Sequence, residues 1–151
     1  MSRAMIKIDK DLLAIQEVRN LVEKAKEAQK IMAGFSQEQI DRIVSAMAEE
    51  GAQASLWLAR VAVDETEIGV YEHKVIKNLF ATKKVYERIK DLRTVGIIKS
   101  DEINKVYEVA EPVGVIAALT PTTNPTSTAL FKSLIALKAR NAIIFSPHPR
   151  A

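Results

Sequence analysis

The sequence predicts an α/β chain in which a layer of helices precedes the start of a strand–helix–strand unit. Three observations carry this expectation. Apolar residues recur at helical spacing through residues 11–91. Val113 to Leu119 is a near-continuous apolar run, the pattern of a strand covered on both faces in a parallel sheet. A loop marked by Pro121 and Pro125 follows, then helical spacing from Thr126 to Ala139 and a second short apolar run, Asn141 to Phe145. The last three pieces make one βαβ crossover. The expected organisation is therefore a helical layer over residues 1–92, a strand pair or linker over 93–112, and a first βαβ unit over 113–151.

The elements follow in order. Asp11 to Met32 places Val18, Leu21, Val22, Ala25 and Ala28 on one face, and Gly34 suits its end. Ser36 offers an N-cap, with Gln39 where a capping-box partner belongs. Ile40, Ile43, Val44 and Met47 follow at i, i+3, i+4 and i+7, and Gly51 is expected to break that helix. A third helix, from about Ala52 to Thr66, is apolar over much of its surface (Leu56, Trp57, Leu58, Val61), which predicts burial on more than one side. Gly69 suits its end. A fourth, from about Glu72 to Asp91, carries Val75, Ile76, Leu79, Phe80, Val85, Tyr86 and Ile89, and these residues are expected in the core. Val95 to Ile98 and Lys105 to Val109 read as short strands around a polar turn, Ser100 to Asn104.

Composition narrows the chemistry. The chain has 151 residues, 48% apolar and 27% charged, enough for one domain of ordinary globular character. No apolar run approaches the roughly 20 residues that span a bilayer. The amino terminus lacks the apolar core of a secretory leader, so a cytoplasmic protein without membrane partners is expected. The absence of cysteine excludes disulfides, thiolate metal sites and a cysteine nucleophile within these residues. His73 and His148 stand far apart, leaving little material for a metal site or a serine–histidine triad. The net charge of +3 lies in the stretch from Glu111 onward, where Lys132, Lys138, Arg140 and Arg150 face a single acid. A mildly basic segment suits an anionic cofactor or is simply a solvated helix face. It is not the dense basic stripe of a nucleic-acid binder.

In an open α/β sheet, ligands bind beyond the carboxyl ends of the strands. The first loop there is Thr120-Pro121-Thr122-Thr123-Asn124-Pro125. Its prolines restrict the backbone on either side of Asn124. An amide held that way is a preorganised donor for a developing oxyanion. Read from spacing alone, Asn124 is equally an ordinary turn or cap residue. The second loop is Ser146-Pro147-His148-Pro149-Arg150, where His148 either contacts a nucleotide or is a plain loop histidine, and Arg150 either pairs with phosphate or is solvated. His73 falls within a helix and reads as structural. The glycine fingerprint of dinucleotide-binding folds is absent.

Two segments are more specific than these patterns: Glu111-Pro112-Val113-Gly114-Val115-Ile116 followed by Pro121-Thr122-Thr123-Asn124-Pro125-Thr126-Ser127-Thr128, and Arg140 to Ala151. Together they resemble the acylating acetaldehyde dehydrogenases, most closely the aldehyde dehydrogenase half of the bifunctional aldehyde–alcohol dehydrogenases. Lys74-Val75-Ile76-Lys77-Asn78 is consistent with the same resemblance. It implies an aldehyde-dehydrogenase-type, Rossmann-like NAD-binding domain, here incomplete, and the interconversion of acetaldehyde and acetyl-coenzyme A with NAD and coenzyme A. It implies a cysteine thiolate as nucleophile, expected beyond Ala151, so that these residues alone are expected to be inactive. Asn124 matches the asparagine that helps hold the oxyanion, and Thr120, Pro121, Thr122 and Thr123 match the strand end beside the nicotinamide. Where ordinary aldehyde dehydrogenases carry a lysine and a glutamate for the adenosine ribose, this sequence has Ser146 and Pro149. The acylating branch shares that change, and Ser146 and His148 become the candidates for the ribose. The segment before Glu111 resembles strands used in subunit association, which implies a homo-oligomer.

Two other readings stand beside it, one from another class and one from the same fold. The helical layer and open sheet edge could form a non-catalytic assembly module. A reductase of an acyl phosphate is the other, and the Ser-Pro-His-Pro-Arg loop argues against it.

Overall fold

The computed structural model describes residues 9–151. The sequence reading that excludes a secretory leader rests partly on residues 1–8, which lie outside the described residues. Among the described residues, six α-helices and two small sheets follow in the order α1 (Lys10–Ala33), α2 (Gln37–Gln53), α3 (Ser55–Thr66), α4 (Tyr71–Leu79), α5 (Val85–Ile89), β1 (Gly96–Asp101), β2 (Val106–Ala110), β3 (Val115–Thr120), α6 (Pro125–Lys138) and β4 (Ala142–Pro147). A π-helical turn, Phe80–Lys84, joins α4 to α5. This is a mixed helix and strand fold with helices first and a βαβ unit last.

The expected capping box is present: the Ser36 hydroxyl accepts from the Gln39 N–H, and Gln39 Oε1 accepts from the Ser36 N–H. From there α2 buries Ile40, Val44 and Ala48, one residue per turn. Against this stripe lies Leu134 of α6, and the four form the centre of the core. Full burial of an Ile or Leu side chain contributes about 1.5–3 kcal/mol. Phe35, Met47, Val85, Tyr86 and Leu137 pack around them, partly buried.

Gly51 does not break α2; the helix runs on to Gln53, and Gly51 lies buried in the same stripe. A methyl group added there would stand 2.8 Å from both Leu130 Cδ2 and Thr82 Cγ2. The glycine sits where α2 comes closest to α6 and the π-helical turn. Helical glycine loses to alanine in propensity, but here packing decides.

Other expectations about the helical layer also need correction. On α3 the buried residues are Ser55, Ala59 and Ala62, while Leu56 and Trp57 remain exposed. On α4 and the π-helical turn they are Lys74, Asn78, Ala81 and Thr82, while Ile76 and Phe80 are exposed. Helix α1 has no buried residue, and Val18 and Leu21 face outward. Small and polar side chains let the helices approach closely, and the large apolar stripes remain as open surface on this chain.

Strands β1 and β2 pair antiparallel around the expected turn, with Ile97 opposite Val109 and an irregularity before Lys99. Strands β3 and β4 pair parallel, Val115 opposite Ala142 through Thr120 opposite Pro147, with α6 as the crossover. The continuous run around β3 is covered less than its pattern predicts: Ala118 is buried, but Leu119 is 71% exposed.

The turn from α6 into β4 carries the strongest polar restraint. Arg140 N–H donates to Leu137 O and Asn141 N–H to Ala136 O, the paired bonds of a Schellman ending. Glycine usually takes the left-handed position, yet Arg140 occupies it at φ 58°. Its guanidinium, buried, donates to Ala33 O and Ala110 O at 2.7 Å, tying the end of α1 and the end of β2 to this turn. Lys138 is buried as well, with Nζ donating to Asp41 Oδ1 at 2.6 Å and to Lys90 O at 2.7 Å. Two of the four basic residues of the last segment are thus structural, neither solvated nor free for a ligand.

Substituting Gly51→Ala tests the close approach. Overpacking costs about 1–3 kcal/mol, against about 1 kcal/mol gained in helix propensity. Urea unfolding is expected to show a net loss of about 1 kcal/mol; a gain would mean that Leu130 and Thr82 have room to yield.

Candidate active site

The buried stripe of α4 and the π-helical turn is where the chain gathers its polar chemistry. Lys74 and Asn78 lie one turn apart, with Ala81 and Thr82 a turn further on. Asn78 is fully buried; its amide donates to Ser55 O at 3.1 Å and accepts from the Thr126 hydroxyl at 2.9 Å. It therefore joins the start of α3 to the first turn of α6. Thr82 returns its hydroxyl to Asn78 O at 2.8 Å, within a π-helical turn, an irregularity that often marks functional sites.

With α4 so placed against α6, two lysines reach the loop between β3 and α6. Lys74 Nζ donates to Thr123 O at 3.0 Å, and Lys77 Nζ donates to Asn124 Oδ1 at 2.8 Å. Lys74 is 4% exposed. Its aliphatic stem passes Gly69, whose Cβ would stand 3.2 Å from Lys74 Cε and whose φ of 89° already calls for glycine. Burial, and then the Lys77 ammonium, hold the Lys74 pKa below its ordinary value. Among the described residues neither lysine pairs with a carboxylate.

Asn124 is the N-cap residue of α6, with Pro125 at the first helical position, but its side chain makes no cap bond. Instead the amide oxygen is taken by Lys77, and Nδ2 donates to Thr123 Oγ1 at 3.3 Å. The positive end of the α6 dipole and two ammonium groups therefore converge on consecutive loop residues, Lys74 at the Thr123 carbonyl and Lys77 at the Asn124 amide, which favours negative charge there. Asn124 and Lys77 form the polar end of an open cavity of about 510 Å³. Ile76, Phe80, Val85 and Phe131 supply its apolar walls. The exposed apolar residues of α4 thus line a groove rather than a core.

The other sequence candidates lie at the carboxyl edge of the parallel strands. Thr120 is nearly buried, and its carbonyl accepts from the His148 N–H at 2.8 Å. Pro121 is exposed and Thr122 half-buried. Ser146, opposite Leu119 in the ladder, is exposed, as is His148, whose Nδ1 accepts from the Arg150 N–H at 3.2 Å. Two groupings result: Thr120, Ser146 and His148 at the strand ends, and Thr123 with Asn124 against α4. His73 lies within α4, as its helical spacing predicts, and is exposed.

The sequence profile of the aldehyde dehydrogenase family matches residues 11–151. The chain belongs to the aldehyde dehydrogenase family. It is 52% identical over 137 residues to the bifunctional aldehyde-alcohol dehydrogenase of Escherichia coli strain K12, covering 91% of this chain and 15% of that protein. It is 45% identical over 134 residues to the acetylating succinate-semialdehyde dehydrogenase of Clostridium kluyveri, covering 89% of this chain and 30% of that one. The crystal structure of an acetylating aldehyde dehydrogenase from Geobacillus thermoglucosidasius superposes with a TM-score of 0.92 at 56% identity, over 96% of this chain and 32% of that chain. A Rhodopseudomonas palustris propionaldehyde dehydrogenase solved with bound propionyl-CoA superposes with a TM-score of 0.69 at 33% identity, over 99% of this chain and 34% of that chain. An engineered glycolyl-CoA reductase solved with NADP+ gives a TM-score of 0.71 at 35% identity, over 88% of this chain and 30% of that chain. The chain thus spans about a third or less of the length of these relatives. Its fold is that of the amino-terminal region of acylating aldehyde dehydrogenases.

Sequence reasoning singled out Asn124 but passed over the functional reading of Lys74, Lys77, Asn78 and Thr126. A signal was available: residues 74, 77, 78, 81 and 82 fall at i, i+3, i+4, i+7 and i+8, a helical stripe without a single large apolar residue. The neighbouring Val75, Ile76 and Leu79 drew the assignment of the core away from it.

Lys74 gives a pH prediction. The unfolded chain keeps this proton up to the ordinary 10.5, whereas the folded chain releases it earlier. Between those two values the unfolded state binds more protons, so stability contributed here rises with pH. Urea midpoints compared with those of Lys74→Met should move in favour of the wild type as pH climbs from neutral toward 10.5; a constant difference would contradict the assignment.

Proposed function

We propose that these residues form the helical layer, association hairpin and first βαβ unit of an NAD-linked acylating aldehyde dehydrogenase. The reaction interconverts acetaldehyde, coenzyme A and NAD with acetyl-coenzyme A and NADH. The observation that carries this reading is the Asn124 amide: its oxygen is taken by Lys77, its Nδ2 keeps a hydrogen to donate, and the residue lines a cavity with apolar walls. An amide N–H in that setting suits a carbonyl oxygen gaining negative charge. The apolar walls of Ile76, Phe80 and Phe131 suit a short acyl chain.

The strand ends fit a nicotinamide dinucleotide. Exposed Ser146 and His148 stand beside Thr120 at the carboxyl edge of a parallel pair, where such folds hold nucleotides. In this assignment Thr120, Pro121, Thr122 and Thr123 flank the nicotinamide, and Ser146 and His148 contact the ribose. When bound, the dinucleotide supplies hydride transfer. Asn124 holds the oxyanion, the apolar walls receive the acyl chain, and the nucleophile, a cysteine in the resemblance noted above, comes from outside these residues. The ligand-bound relatives, one with propionyl-CoA and one with NADP+, support both ligand classes.

A homo-oligomer is the second part of the proposal. The β1–β2 hairpin exposes Ile97, Val106, Tyr107 and Val109, and a two-stranded ribbon is marginal by itself. Light scattering of an Ile97→Lys/Val109→Lys variant should show a smaller assembly than the wild type; an unchanged mass would remove the hairpin from the interface.

The enzymatic proposal is tested on the full-length polypeptide that carries this segment. It should reduce acetyl-coenzyme A with NADH, and Asn124→Ala should lower kcat about 10²–10³-fold, the loss typical of one oxyanion donor. Preference for an acyl phosphate, or full activity in Asn124→Ala, would overturn it.

A further inference from the structure

We infer that Lys77 is a positioning residue that locks the Asn124 carboxamide with its N–H edge toward the cavity. The inference rests on the oxyanion role proposed for Asn124 and adds the group that decides which way the amide points. An asparagine amide has an accepting edge and a donating edge of nearly the same shape, and a half-turn exchanges them. An ammonium can only donate. With Lys77 Nζ 2.8 Å from Oδ1, the flipped amide would set NH₂ against NH₃⁺. The lysine therefore selects one orientation.

Three further observations support a dedicated restraint. Asn124 is an N-cap residue, and asparagine there normally accepts from the helix N–H groups; here it gives up that bond for the lysine. Nδ2 spends one hydrogen on Thr123 Oγ1 at 3.3 Å, which leaves the second for a ligand. One turn earlier on the same helix, Lys74 donates to Thr123 O at 3.0 Å, so the two lysines grip consecutive residues of one loop. The charge of Lys77 on Oδ1 also polarises the amide and strengthens Nδ2–H as a donor. Lys77 is exposed, so its bond contributes little to folding and its removal leaves the core intact.

The full-length polypeptide tests this through two readouts. Lys77→Met should lower kcat about tenfold, the rate equivalent of one charge-assisted hydrogen bond at an exposed site. KM for acetyl-coenzyme A should stay within about twofold, because the bond acts on developing charge. Lys77→Arg should recover most of the rate, and Lys77→Met should add nothing in an Asn124→Ala background. With ¹⁵N-labelled asparagine, the Asn124 side-chain protons should be shifted away from those of other asparagines in wild type and Lys77→Arg, and rejoin them in Lys77→Met. The proposal is overturned if Lys77→Met leaves that resonance in place, raises KM alone, or slows the Asn124→Ala enzyme as much as the wild type. If the wild-type polypeptide turned over no acyl-coenzyme A, the enzymatic proposal would fall, and the amide resonance would still decide whether Lys77 sets the orientation.

Discussion

Asn78 is the constraint on which the arrangement of this chain rests. It is a fully buried amide, so both of its edges must find hydrogen-bonding partners. One edge takes the carbonyl of Ser55 and the other the hydroxyl of Thr126, residues that open α3 and α6. Those two bonds set the height and rotation of α4 against α6. Only at that setting does Lys74 meet the Thr123 carbonyl and Lys77 meet Asn124. Thr82, bonded to the Asn78 carbonyl, extends the constraint into the π-helical turn, and Gly51 leaves room for Thr82. The geometry of the candidate site therefore descends from one buried hydrogen-bonding group and the small residues that let helices close around it.

The basic residues divide into two kinds according to what they face. Lys138 and Arg140 are buried and spend their donors on Asp41 and on the carbonyls of Lys90, Ala33 and Ala110. They close the ends of α5, α1 and β2, giving partners to the carbonyls of Lys90, Ala33 and Ala110. Lys74 and Lys77 are different: they face a loop at a helix N-terminus, where no carboxylate among the described residues balances them. Positive charge gathered without a counter-ion is unfavourable in the unliganded chain. In the proposed reaction it would be offset by the negative charge that gathers on oxygen beside Asn124.

Much of the fold was legible. The capping box at Ser36, the hairpin, the parallel pair and the crossover helix all follow from local pattern, because capping, turn chemistry and apolar periodicity act over a few residues. Burial was legible only in part. The stripes of α1 and α4 were expected in the core, yet Val18, Ile76 and Phe80 face outward, and Gly51 continues a helix it was expected to end. Periodicity reports that a face is apolar. It does not say whether that face meets a helix of the same chain, a cavity or another surface.

The sequence by itself determined the order of elements, the family resemblance and the prominence of Asn124, since each resides in contiguous residues whose chemistry is local. Tertiary structure alone decided which lysines are buried, which edge of Asn124 is engaged and which apolar residues line a cavity. These depend on residues 47 or more positions apart being brought within hydrogen-bonding reach, and no local pattern encodes the distance between them.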